Sequence, residues 1–303
     1  MSESASNETH YRGRFAPSPT GPLHFGSLIA AAGSYLEART RGGEWLVRIE
    51  DLDPPRVMPG AVDDILRALE ACGMHWDGGI VHQSAREDAY HAALHELKQR
   101  GHVYPCACSR REIADSALGG IEGTVYPGTC RSGLPPGKTA RALRLDTRGV
   151  TVEFADALQG AIAQHLETGS GDFVLYRADG VFAYQLAVVV DDAEQGITDI
   201  VRGADLLDST PRQIFVQRLL GLPRMRYLHL PVAVNERGEK LSKQTRAEPI
   251  DVDHPVPALV AALRFLGQDP PLALAGASPG ELWQWALASW RVERIPRARH
   301  AAA

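Results

Sequence analysis

Arg12-Gly13-Arg14-Phe15-Ala16-Pro17-Ser18-Pro19-Thr20-Gly21-Pro22-Leu23-His24-Phe25-Gly26-Ser27 is the stretch from which the fold is read. Arg12–Ala16 reads as a short strand, and the prolines and Gly21 that follow cannot continue it. A helix is expected from Phe25 to about Thr40, bearing the small residues Gly26, Ser27, Ala30, Ala31, Ala32 and Gly33. Small side chains let a helix lie close on a sheet. Glu44–Ile49 reads as a second strand, so strand, breaker-rich loop, helix and strand follow in order. That order is a βαβ unit and implies a parallel sheet.

Outward from this unit, Pro59–Cys72 and Glu87–Arg100 read as amphipathic helices, with Ile65, Leu66 and Leu69, and Tyr90, Leu94 and Leu97, on their apolar sides. Gly101–Thr147 is rich in loop residues. From Arg100 to Arg148 eight basic residues face four acidic ones, so this segment carries +4 within a chain of net charge −5. The apolar run Leu186–Val190 reads as a buried strand. Helices are expected near Thr210–Leu220, Pro255–Leu266 and Gly280–Trp290, and Arg291–Ala303 as a basic tail.

The 303 residues, 44% hydrophobic and 23% charged, exclude a collagen-like, repeat-dominated or wholly disordered chain. A net charge of −5 excludes a globally basic nucleic-acid coat but permits a local basic groove. Four cysteines are too few for a disulfide scaffold. With no apolar leader and no run of ~18 apolar residues, a cytoplasmic, membrane-free protein is expected.

Two elements suit phosphate chemistry. His24 stands at a helix N-terminus, where free N–H groups and the dipole favour anions. Lys240-Leu241-Ser242-Lys243-Gln244 sets two lysines three residues apart in a polar loop, where movable cations can follow developing charge. Alone, the first reads equally well as an ordinary turn, and the second reads first as a solvated charged loop. Cys106, Cys108 and Cys130 offer three soft ligands, and zinc takes four. On chemistry alone His102 is the obvious fourth, with Tyr126 an unusual alternative.

Taken together, His24-Phe25-Gly26-Ser27 and Lys240–Gln244 resemble the "HIGH" and "KMSKS" signatures of class I aminoacyl-tRNA synthetases. Ser27 stands where His is usual, and Gln244 where Ser is usual. Arg14–Gly21 and Arg48-Ile49-Glu50-Asp51-Leu52-Asp53 are similar to glutamyl-tRNA synthetase motifs, and the likeness continues through Tyr184 and Val201–Asp205 to the lysine loop. Cys106-x-Cys108 with Tyr126-x-x-x-Cys130, and Pro54-Pro55-Arg56 after the acidic pair, resemble the glutamyl-queuosine tRNA(Asp) synthetase branch.

The resemblance implies a Rossmann-type α/β catalytic domain with a parallel sheet, split by a zinc-bearing insertion and followed by a short helical C-terminal part. The expected divisions are a disordered tail at 1–11, catalytic halves at 12–100 and 176–250, the insertion at 101–175 and the C-terminal region at 251–303. Tyr126 becomes the favoured fourth ligand of one structural Zn²⁺, with His102 second. Arg14, Phe15, Ala16, Pro17, Ser18, Glu50, Tyr184 and Arg202 would bind L-glutamate, the arginines taking carboxylates and Glu50 the ammonium. His24, Lys240 and Lys243 would be catalytic, with His24 and Lys243 on ATP and Mg²⁺ accompanying it. Glutamyl-adenylate would form without tRNA, and glutamate would pass to queuosine-containing tRNA(Asp) from an enzyme expected to be monomeric. Only 60 residues follow Lys243, fewer than a full anticodon-binding region needs. A truncated glutamyl-tRNA synthetase charging tRNA(Glu), a small-molecule nucleotidyltransferase and a non-catalytic RNA-binding derivative are the rival readings.

Overall fold

The computed structural model describes residues 10–115, 118–120, 123–235, 237–240 and 248–302. The expected N-terminal tail up to residue 9, and Lys243 and Gln244 of the lysine loop, lie outside them.

The opening stretch forms strand β1 (Arg12–Phe15), a loop and helix α1 (Phe25–Thr40), leading into β2 (Glu44–Ile49). β1 and β2 pair in parallel with Arg12 opposite Glu44, and β2 pairs in parallel with β3 (Val81–His82), after helix α2 (Ala61–Ala71). Helix α3 (Glu87–Gln99) precedes the cysteine-bearing segment. That segment contains β4 (Val103–Cys106), α4 (Arg110–Asp115), the hairpin strands β5 (Leu118–Gly120) and β6 (Gly123–Val125), and β7 (Ala142–Leu145). β8 (Thr151–Asp156) and β9 (Gly160–His165) form an antiparallel pair, followed by the short helix α5 (Leu166–Gly169) and β10 (Val174–Tyr176), which joins β7 and β4. Helix α6 (Tyr184–Glu194), β11 (Asp199–Gly203), helix α7 (Thr210–Leu219) and β12 (Arg226–Leu230) complete the parallel framework, with strand order β11-β12-β8-β9. β1 and β11 meet at Thr198, whose N–H donates to the Arg12 carbonyl and whose hydroxyl accepts from the Arg12 N–H, each at 2.9 Å.

The strands divide two hydrophobic cores, because successive side chains point to opposite faces. On β11, Val201 joins one core and Ile200 the other; on β12, Leu228 and Tyr227 divide in the same way. The first core holds Trp45, fully buried between Phe15 and Tyr35, its indole N–H donating to Ser34 Oγ at 2.9 Å. The small residues of α1 have the expected use: a Cβ on Gly33 would stand 2.5 Å from a Leu230 methyl, so glycine permits this close approach. After β13 (Val232–Val234), helices α8 (Val256–Phe265) and α9 (Pro279–Ser289) pack against α1. Trp290 beyond α9 donates to the buried Glu37 carboxylate of α1 at 2.6 Å.

Two expectations are corrected. Leu186–Val190 is not a strand but the middle of α6, with every residue from Gln185 to Asp192 buried. A short apolar run suits a buried strand and a buried helix alike, and packing of α6 against α3 and α7 decides for the helix. The basic tail is also structured: β14 (His300–Ala302) pairs in parallel with β13, and Arg299 bridges Asp208 at 3.0 Å. No described helix is long and apolar enough to cross a membrane.

Candidate active site

The carboxyl ends of β1 and β11 open into a cleft of about 770 Å³, between the strand that leads to α1 and the strand that leads to α7. Crevices at the carboxyl ends of parallel strands are the usual ligand sites of such sheets. Arg14, Phe15, Ala16, Pro17, Ser18, His24, Glu50, Tyr184, Arg202 and Lys240 all line it. Residues from four distant parts of the chain are thus brought together; Lys243 lies outside the described residues.

Each arginine arrives with partners that motif reading had missed. Arg14, 3% exposed, forks onto Asp192 of α6, with Nε to Oδ1 at 3.0 Å and Nη2 to Oδ2 at 3.3 Å. Arg48, fully buried, gives Nη1 to Asp192 and to Gln195, both at 2.7 Å, and Nη2 to Glu50 at 3.3 Å. Burial alone would raise the Asp192 carboxyl, but Arg14 and Arg48 hold it below the ordinary carboxylate range. Glu50 behaves oppositely: burial raises it, and Arg48 and Arg14 only partly offset that. The carboxylate nearest the expected ammonium is therefore held by a balance of desolvation against two guanidinium groups.

Arg202 on β11 is 5% exposed and tied on three sides. Nε donates to His229 Nε2 at 3.1 Å, Nη1 to the Tyr184 hydroxyl at 3.1 Å, and Nη2 to Thr210 and Gln213 at 2.9 and 2.7 Å. A guanidinium has five N–H donors, so among the described residues one on Nη1 is left for a ligand. Arg202 thus presents to the cleft an N–H beside the Tyr184 hydroxyl. His229 and the aspartates carried sequence signals nonetheless. A histidine between Leu228 and Leu230, and two acids directly after an apolar run, are polar groups that must find buried partners.

His24 caps α1, its Nδ1 accepting from the Ser27 N–H at 3.4 Å while its Nε2 lies 3.2 Å from Ser27 Oγ. Ser27, the departure from the usual motif, therefore contacts the histidine directly. Lys240 forms an ion pair with Asp205, just after β11. A cation at this edge and a helix N-terminus across the cleft suit a polyphosphate.

The cysteines form a separate small cluster. The Sγ atoms of Cys106, Cys108 and Cys130 lie within 4.8 Å of one another, with Cys108 and Cys130 3.6 Å apart. The buried Tyr126 hydroxyl is 3.4 Å from Cys106 Sγ and 3.7 Å from Cys108 Sγ. The three separations of 3.4–3.7 Å are close to the edge of a tetrahedron with metal–sulfur distances near 2.3 Å. His102 stands outside this cluster. The Arg144 guanidinium lies 4.0 Å over the Tyr126 ring, with Nε 3.3 Å from Cys106 Sγ, and so sets a positive charge beside the thiols. Burial raises the Cys108 thiol to about 11, and it also raises Tyr126, so metal binding here must displace protons.

Residues 10–270 match the model of the catalytic domain of class I tRNA synthetases (E and Q). The chain is 63% identical over 289 residues to a glutamyl-Q tRNA(Asp) synthetase of Dechloromonas aromatica, covering 95% of this chain and 96% of that relative. It is 58% identical to one of Aromatoleum aromaticum, covering 97% and 93%. Among solved structures it resembles a glutamate tRNA ligase of Elizabethkingia meningosepticum in complex with its amino acid, with a TM-score of 0.78 at 24% identity. That match covers 96% of this chain and 66% of the other. Glutamate-tRNA synthetase from Elizabethkingia anophelis gives a TM-score of 0.79 at 24% identity, covering 97% and 68%. At that identity the likeness concerns the fold: an α/β chain with parallel sheets.

Proposed function

The chain belongs to the family of class I tRNA synthetase catalytic domains of the E and Q type, and on that footing we propose that it activates L-glutamate with ATP and transfers it to the queuosine of tRNA(Asp). The observation that carries the reading is the convergence of Arg14, Glu50, Tyr184, Arg202, His24 and Lys240 on one cleft. The names borne by the relatives at 63% and 58% identity support the acceptor.

The cleft suits an α-amino diacid. The Nη1 N–H of Arg202 and the Tyr184 hydroxyl take one carboxylate, Arg14 meets the other, and Glu50 takes the ammonium. Phe15, Ala16, Pro17 and Ser18 form the wall between Arg14 and His24. An α-carboxylate oxygen attacks the α-phosphorus of ATP, the bond to the β-phosphate oxygen breaks, and pyrophosphate leaves. Nothing is asked of the protein in covalent terms: it aligns the reactants and stabilises negative charge as it spreads. His24 with the start of α1, Lys240 and Lys243 do this, and Mg²⁺ accompanies the nucleotide. A cyclopentenediol hydroxyl then attacks the acyl carbon, loses its proton and releases AMP. One zinc ion, held by Cys106, Cys108, Tyr126 and Cys130, would order the insertion of a Rossmann-type domain and take no part in adenylation. The reaction is assigned to the cytoplasm, where its RNA acceptor is found.

The deciding experiment is transfer of labelled glutamate to tRNA(Asp) with and without queuosine, with tRNA(Glu) as control. Label is expected only on the queuosine-containing tRNA(Asp). Equal labelling of both tRNA(Asp) samples, or labelling of tRNA(Glu), overturns the acceptor.

A further inference from the structure

Behind Arg202 lies a fully buried polar chain that no motif of the cleft includes. His229 of β12 and Asp156 at the end of β8 are adjacent because Tyr227 pairs with Asp156 across the sheet. Asp156 Oδ2 lies 2.6 Å from His229 Nδ1, and both side chains are 0% exposed. The other carboxylate oxygen, Oδ1, accepts three backbone N–H groups, from Leu158 at 3.0 Å, Gln159 at 2.8 Å and His229 at 3.2 Å. The carboxylate is therefore locked in orientation. A carboxylate only accepts, so the proton between it and the ring resides on Nδ1. In the neutral ring Nε2 then carries no proton, and it faces the Nε–H of Arg202 and the Thr210 hydroxyl, each at 3.1 Å. Burial keeps the ring neutral, as does the neighbouring Arg202 charge.

We infer that His229, set in its Nδ1–H tautomer by Asp156, is a positioning residue that fixes the Arg202 guanidinium so that its one unengaged N–H points to the amino-acid substrate. The inference rests on the proposed binding of glutamate in this cleft. Were the proton on Nε2 instead, the Thr210 hydroxyl, 3.1 Å from Nε2, could accept it, but the Arg202 Nε–H would lose its acceptor and one of the bonds that fix the guanidinium.

Asp156→Asn tests this with almost no change of shape. The three backbone N–H groups retain the amide oxygen at the Oδ1 position, so the amide nitrogen takes the Oδ2 position and donates to Nδ1. The ring proton is forced onto Nε2, the tautomer error expected when an orienting aspartate becomes asparagine. In glutamate-dependent ATP–pyrophosphate exchange, Asp156→Asn should raise the KM for glutamate about tenfold or more, the size of a lost hydrogen bond to a charged group. The KM for ATP should not change, and kcat should fall far less. His229→Gln keeps an acceptor for Arg202, so the double variant Asp156→Asn/His229→Gln should return to the His229→Gln level. The 15N shifts of His229 should report Nδ1–H in the wild type and Nε2–H in Asp156→Asn.

A switched tautomer with an unchanged KM for glutamate overturns the inference, as does Nε2–H in the wild type. If Asp156→Asn does not fold, His229→Gln against His229→Leu replaces it; equal KM values for those two overturn the inference. A wild type that shows no glutamate-dependent exchange overturns the proposed substrate instead, while the tautomer and the Arg202 Nε–H resonance still test the chain itself.

Discussion

Asp192 stands between two buried guanidinium groups, those of Arg14 and Arg48, with side-chain exposures of 2%, 3% and 0%. Removing one partner of such a group leaves uncompensated buried charge, which costs about 3–5 kcal/mol. Asp192→Ala should lower the unfolding free energy from urea titration by that amount and weaken glutamate binding as well, since Arg14 loses its anchor. His229 gives a pH dependence. Burial lowers it, the Asp156 bond opposes that, Arg202 adds to the lowering, and Asp205 also faces it; the result is about 4 against an ordinary 6.5. The folded value lies below the unfolded one, so this stabilisation is complete above pH 6.5. It is lost as pH falls towards 4, by about 3 kcal/mol in all. Urea titrations at pH 7, 5.5 and 4.5 should show that slope in the wild type and a flatter one in His229→Gln. The motif residues of the cleft were legible in the sequence because each sits in a short contiguous pattern. Their partners were not, because Arg14 and Asp192 are 178 positions apart and Asp156 and His229 are 73 apart. Only the closing of the sheet brings them together.

Helix α1 was readable because its signals are local: a breaker-rich entry, a capping histidine and a stripe of small residues. Its glycine at position 33 is the feature most open to challenge. Gly33→Val would drive a branched side chain into the buried Leu230 and should destabilise by ~1–3 kcal/mol, seen as a fall of several degrees in Tm. Helix α6 was misread for the reason that makes α1 readable. Its run Leu186-Ala187-Val188-Val189-Val190 has no polar face to mark a helical period, because α6 is covered all round. The pairing of β13 with β14 was also hidden, since three residues rich in alanine carry little strand preference and are ordered by the neighbour they meet.

Across the whole molecule, Cys106, Tyr126 and Cys130 form a hydrophobic cluster of their own beside two far larger ones. Loss of the proposed zinc should therefore loosen this segment without dissolving the parallel framework. Cys106→Ser, or a strong chelator, should remove zinc as measured by elemental analysis and open the stretch between Cys106 and Arg141 to protease, while far-UV circular dichroism changes little. Full metal content in Cys106→Ser would sink the ligand assignment. The junction of β1 with β11 has a different consequence. These strands belong to different hydrogen-bonded sheets and are stitched at Thr198, where a side-chain hydroxyl takes the place of a ladder carbonyl as acceptor for the Arg12 amide. That amide is a built-in gauge of the seam along which the cleft would widen. In native-state hydrogen exchange it should report breathing of the two halves separately from global unfolding. Thr198→Val should speed its exchange while leaving the Glu44 amide, bonded to the Tyr11 carbonyl, as slow as before.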